Sequence, residues 1–163
     1  LPEYVNYIKR PKFLDLPTSN FTQIFTEFIK EKDADIYVFL HATAPFIKKE
    51  TMQKCLNAVV SGEYDSAFCA RKIQSFCWMN GKPHNFDPSN LPRTQDLTPI
   101  FEETSGIYVF KKEVFSKYKR RIGFKPFIAE VDEKEAVDVD NESDFNFATK
   151  IADIEMWGIL WKK

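Results

Sequence analysis

An α/β fold with a mostly parallel sheet flanked by helices follows from three features of the sequence. Residues 36–40 (IYVFL) and 106–110 (GIYVF) are unbroken apolar, β-favouring runs, as expected of strands buried on both faces. Segments of helical periodicity stand on either side of the first run. Strand, loop, helix and second strand then succeed one another between residues 36 and 71, a βαβ unit that implies parallel pairing and a right-handed crossover.

Taken in order, residues 1–17 hold three prolines and read as an irregular approach. Ser19 or Asn20 caps a helix whose apolar face is Phe21, Ile24, Phe25, Phe28 and Ile29, ending near Lys32. The 36–40 strand leads through HATAPF (41–46) into a helix over 48–60. Met52, Cys55, Leu56 and Val59 face inward there, and Gly62 stops it. A strand follows at 64–71. From 73 to 104 four prolines and a single glycine mark a long excursion, with Asn80-Gly81 as a hairpin turn inside it. The GIYVF strand, a short helix at 113–118, a strand at 126–131 and a helix from 142 to about 160 complete the chain. The last helix carries Phe145, Ala148, Ile151, Ala152 and Ile154 near helical spacing and ends in Trp157, Leu160 and Trp161, which can cover the core or a partner chain.

The chain has 163 residues, enough for one well-buried domain, and its 44% hydrophobic and 29% charged composition is that of a folded protein. Phenylalanine is abundant at 16 residues, able to fill a core or to line a pocket or interface. Net charge is −1, so no global field favours a nucleic-acid polymer, and the basic run KYKRR (117–121) reads as a solvated helix end. No run approaches a membrane span and none has the pattern of a signal peptide. Cys55, Cys69 and Cys77 form no CxxC pair and fit reduced thiols in a cytoplasm. With two histidines, a His-based zinc site is not supported, and no Ser-His-Asp or Cys-His pattern is visible.

EAVDVDNESDFNF (135–147) carries the most chemistry. If its start is a strand end, Val137 and Val139 point inward, while Asp138 and Asp140 share the other face with Cα atoms roughly 6.5 to 7 Å apart. Two such carboxylates can converge on one hard divalent cation; equally, they can be solvated acids ahead of a helix capped by Asn141. An EF-hand loop is excluded, since Ser143 and Thr149 stand where Gly and Glu are needed. His41 and Thr43, on a loop of small residues after a strand, can hydrogen-bond a base or sugar or simply form a turn. Arg93 offers a planar fork to a carboxylate or phosphate, with Gln95 beside it, or else pairs with Asp96 or Glu102 at the surface. Ser105-Gly106 leads into a strand, the glycine implying close approach of the backbone to something.

Three separated segments, DIYVFLHATAPF (35–46), PRTQDLTPIFEETSGIYVF (92–110) and EAVDVDNESDF (135–145), together resemble the acylneuraminate cytidylyltransferases, or CMP-sialic acid synthetases. The resemblance implies an α/β fold of the nucleotidyltransferase (Rossmann-like) type, a magnesium-dependent homodimer, and the transfer of CMP from CTP to an acidic nine-carbon sugar with release of pyrophosphate. It assigns Mg²⁺ to Asp138 and Asp140, catalysis to those two and to Arg93, which faces the sugar carboxylate, and substrate binding to Arg93, Gln95, His41, Thr43, Ser105 and Gly106. Thr43 and Pro45 agree with a family stretch that usually reads Gln-Pro-Thr-Ser-Pro, whereas His41, Ala42 and Ala44 depart, and Ser105 replaces a usual Asn. The Gly-, Arg- and Lys-rich loop that cradles the triphosphate has no counterpart, so the single cytidylyltransferase-like domain, 1–163, is expected to be incomplete at its N-terminus. An enzyme acting on an eight-carbon acidic sugar, or a non-catalytic sugar- or nucleotide-binding fragment, are the other readings.

Overall fold

The computed structural model describes residues 2–160, with side chains through 154. Its main sheet has four strands in the order β1 (Ile36–Leu40), β5 (Ile100–Lys111), β2 (Ser66–Ile73) and β6 (Pro126–Val131). β5 runs antiparallel to both β1 and β2, and β6 runs parallel to β2. Three strands therefore share one direction, as the sequence reading expects. The first βαβ unit does not close on itself, because β5 occupies the place between β1 and β2. The excursion after β2 brings the chain back antiparallel, as a hairpin-like connection must, and this displaces the direct parallel pairing expected of β1 with β2.

Local signals account for the helices. α1 (Phe21–Glu31) opens with a full capping box, in which the Asn20 side chain accepts from the Gln23 N–H and the Gln23 side chain accepts from the Asn20 N–H. α2 (Lys49–Val60) ends at Gly62, whose φ of 82° is open to glycine and costly for other residues. α3 (Lys112–Tyr118) ends at Lys119, also left-handed, with φ 55°. A two-stranded hairpin, β3 (Trp78–Met79) and β4 (Lys82–Pro83), turns through Asn80 and Gly81 at φ 52° and 73°, the positive pair that a type I′ turn needs.

The two faces of the sheet are buried differently. On one, α1 and α3 cover an aromatic cluster of Phe25, Tyr37, Tyr108, Phe110 and Phe115, with rings in edge and tilted contact, which explains much of the phenylalanine content. On the other, α2 sets Cys55 and Val59 against Ala67, Cys69, Ile107, Val109, Ala129 and Val131. Burial drives the Cys55 thiol up to about 12, so it stays protonated and packs as a small apolar group.

α4 (Glu142–Leu160) starts as expected, the Asp144 N–H donating to Asn141 Oδ1 and the Asn141 N–H to Asp144 Oδ2. Its apolar spacing does not make a buried face: Ala148 is buried, but Phe145, Phe147 and Ile154 are exposed. The side chains of Trp157 and Leu160, and the whole of Trp161, lie outside the described residues.

Candidate functional site

β1, β2 and β6 all end at the same edge of the sheet, and antiparallel β5 begins there, so four separate segments meet where such folds hold ligands. A bulge between Phe68 and Ala70 shifts the β2–β5 register near this edge, and the Thr104 hydroxyl donates to the Cys69 carbonyl across it. The result is a hollow of about 470 Å³, with Glu103, Thr104 and Ser105 on one side and Val137, Asp138 and Asp144 on the other. Arg71 also lines it and pairs with Glu102 and Glu133. Acids outnumber that one base around the opening, which favours a cation inside it.

The stretch before α4 is an extended loop after a turn over 133–136, not a strand end. Alternation of Val and Asp is thus satisfied without a ladder. Val137 is buried, and the Val139 N–H donates to the Thr43 carbonyl at 2.9 Å, joining this loop to the one after β1. Asp138 Oδ1 is buried with no hydrogen-bond partner among the described residues. Asp140 is exposed, its N–H held by Asp144 Oδ2. A buried anionic oxygen without a donor is costly, and it is the feature a bound cation would satisfy. Among the described residues no three His, Cys, Asp or Glu side chains group as a metal cage, but magnesium keeps several waters or phosphate oxygens in its shell and needs only one or two protein carboxylates, so Asp138 and its sequence neighbour Asp140 fit that ion.

His41 lies on the other side of this loop, its ring 4.8 Å from Phe39 and 6.0 Å from Tyr108 between centroids. Nε2 is buried and unpartnered among the described residues. Burial lowers the pKa of this imidazole, the Arg121 charge adds to that, and Asp138 and Asp140 pull the opposite way, so His41 senses all three. At Gly106 the backbone comes close to core side chains: a Cβ would lie 3.1 Å from both Cys69 Sγ and Ile47 Cδ1, so those neighbours would have to give by a few tenths of an ångström.

Arg93 and Gln95 stand apart, on the 3-10 turn Thr94–Asp96. The Arg93 fork donates to Asp96 at 2.7 and 3.1 Å in an exposed pair, and Gln95 is exposed. Gln74 anchors the turn through the Thr94 and Leu97 carbonyls. Among the described residues, nothing joins Arg93 or Gln95 to the 138–140 loop. Arg121 does not line the hollow but touches Glu103, which does, although the basic run containing it reads as solvated. Its guanidinium lies 3.7 Å from the Tyr108 ring centroid and 3.4 Å from Glu103 Oε1.

Fold and site together define an α/β domain with an acid-rich hollow at the edge toward which β1, β2 and β6 run. No family model matches the chain. Its fold is similar to that of 4-diphosphocytidyl-2C-methyl-D-erythritolsynthase from Anaerococcus prevotii DSM 20548, with a TM-score of 0.55 and 13% identity over 83% of this chain and 68% of that one. It is also similar to the bifunctional IspDF from Campylobacter jejuni, with a TM-score of 0.53 and 12% identity over 77% of this chain and 33% of that one. In sequence, the chain is similar to N-acylneuraminate cytidylyltransferase A of Danio rerio, 24% identical over 149 residues, which bears out the likeness carried by the three segments. That match covers 86% of this chain and 34% of the relative, so the chain spans about a third of the relative's length.

Proposed function

We propose that the protein to which this chain belongs transfers CMP from CTP to an acidic nine-carbon sugar, releasing pyrophosphate. The observation that carries this reading is Asp138: a carboxylate oxygen buried without a partner at the wall of an acid-rich hollow, in the motif that resembles the family's metal site. The named relative supports the chemistry, and the shared fold supports the place.

In this reading Asp138 and Asp140 hold Mg²⁺, which when bound offsets phosphate charge and favours ionisation of the attacking sugar hydroxyl. The chain's own residues do the positioning. The 41–45 loop, tied to the 138–140 loop through Val139 and Thr43, presents the Thr43 hydroxyl and His41 to the nucleotide, and Ser105 adds a hydroxyl from the far wall. Arg93 is assigned the sugar carboxylate, with Gln95 beside it; taking that ligand requires Asp96 to release the Arg93 fork. A homodimer working in the cytoplasm completes the reading. Among the described residues no helix is long and apolar enough to cross a membrane.

The test is pyrophosphate release by the full-length protein from CTP, an N-acylneuraminic acid and magnesium. Asp138→Ala and Asp140→Ala are expected to lower turnover by more than about 100-fold with the fold intact. Added magnesium is expected to raise the melting temperature of the wild type and not of Asp138→Ala. Unchanged turnover in both variants would refute the assignment.

A further inference from the structure

Arg121 has donors that its own neighbours do not use. Lys119, in the left-handed conformation, ends α3 and sends the chain back over the aromatic face, where Arg121 stacks 3.7 Å from the Tyr108 centroid and 5.4 Å from that of Phe21. Its side chain is 27% exposed. The ion pair with Glu103 is long at 3.4 Å, and the same Glu103 Oε1 already accepts the Tyr108 hydroxyl at 2.5 Å. A guanidinium has five N–H donors, and one long contact leaves most of them unused by protein acceptors on a side chain stacked against two aromatic rings.

His41 rests against that same Tyr108 ring and carries the buried, unpartnered Nε2. Glu103 meanwhile lines the hollow that Asp138 walls. A cation with spare donors and an orphaned imidazole nitrogen thus share the Tyr108 ring, and His41 lies within electrostatic reach of Arg121, Asp138 and Asp140 alike. Charge separation of this kind suits a ligand that brings an anionic oxygen close to a metal-bound one.

We infer that Arg121 and His41 form an oxyanion subsite at the rim of the Asp138 hollow, binding either the carboxylate of a sugar acid or a phosphate of the nucleotide. The choice between those two sources rests on the proposed reaction; the subsite itself rests on the geometry. Arg121 here is a substrate-binding residue in addition to Arg93, to which the resemblance gives the sugar carboxylate.

The experiment is an NMR titration of the isotope-labelled chain, following the Arg121 Nε–Hε and His41 ring resonances. The probes are an N-acylneuraminic acid, its methyl ester, CTP and inorganic pyrophosphate, each added to the wild type, Arg121→Gln and Arg121→Lys. Both resonances are expected to shift saturably with one anion, with affinity falling about 10-fold or more in Arg121→Gln and less in Arg121→Lys. Response to the sugar acid and not its ester identifies the carboxylate; response to CTP or pyrophosphate identifies the phosphate. The subsite is overturned if no probe moves the two resonances in the wild type, or if a folded Arg121→Gln binds as tightly as the wild type. Saturable binding at Arg121 without any pyrophosphate release by the full-length protein leaves the subsite standing and removes the proposed reaction. Turnover by Arg121→Gln with wild-type KM for both substrates does the reverse.

Discussion

The Asp65 carboxylate accepts the Phe124 and Lys125 N–H groups and the Ser66 hydroxyl, while the Ser66 hydroxyl in turn accepts the Gly123 N–H. This one side chain holds the turn that delivers the chain to β6. Partial burial opposes its charge, but the two backbone donors and Ser66 outweigh that and keep the carboxyl below its ordinary 3.8. Its folded pKa is therefore lower than its unfolded one. The stabilisation is complete above about pH 4 and drains away as pH falls through the folded value. Asp65→Asn is expected to cost on the order of 2 kcal/mol at pH 7 and to flatten the acid limb of a stability–pH curve measured by urea unfolding. An acid limb as steep as that of the wild type would refute the role. Gly123 belongs to the same device, since a Cβ there would collide with the Asp65 carboxylate. Gly123→Ala should accordingly cost less in an Asp65→Ala background than alone.

At the scale of an element, α2 lacks a cap of its own. Lys48 at its N-cap makes no side-chain cap, and the first turn is held instead by Glu135, which accepts the Lys48 N–H at 3.0 Å and the Thr51 hydroxyl at 2.6 Å. Glu135 is 4% exposed and also pairs with the Lys48 ammonium at 3.1 Å. Removing it leaves those donors unmatched, so Glu135→Ala is expected to lower stability by about 2 to 3 kcal/mol, read as a shift in urea midpoint, with Glu135→Gln losing less. A shift under about 0.5 kcal/mol would sink the idea that a distant carboxylate starts this helix. The contact also shows what was legible beforehand. α1, β1, α2 and the Asn80-Gly81 hairpin follow from caps, periodicity and turn residues close together in sequence. The partnership of Glu135 with Lys48 and Thr51, 87 and 84 positions away, has no local signal. Nor has the stacking of Arg121 on Tyr108: within KYKRR it looks like one more solvated charge. The Arg93–Asp96 pair, three residues apart, was readable as one of two alternatives, and the structure holds that one.

Across the whole molecule, the direction of β5 was the least legible feature, because an apolar run buried on both faces has the same pattern whichever way it points. That direction decides how β1 ends up. The run IYVFL reads as a strand buried on both faces, yet β1 is the sheet's edge and pairs with β5 alone among the described strands. Val38 and Leu40 lie opposite Val109 and Ile107 on the α2 side, but α2 sits mainly over β2, β5 and β6 and reaches β1 least. They are 47% and 46% exposed as a consequence. An apolar edge strand with free N–H and C=O groups is a template for further pairing. The chain is expected to associate in a concentration-dependent way that sedimentation velocity detects. Val38→Lys and Leu40→Lys should suppress that association while changing unfolding stability by no more than about 0.5 kcal/mol, since neither side chain is buried. Association undiminished in the double variant would move its cause away from this edge, to the exposed aromatic residues Phe76 and Trp78 around the hairpin.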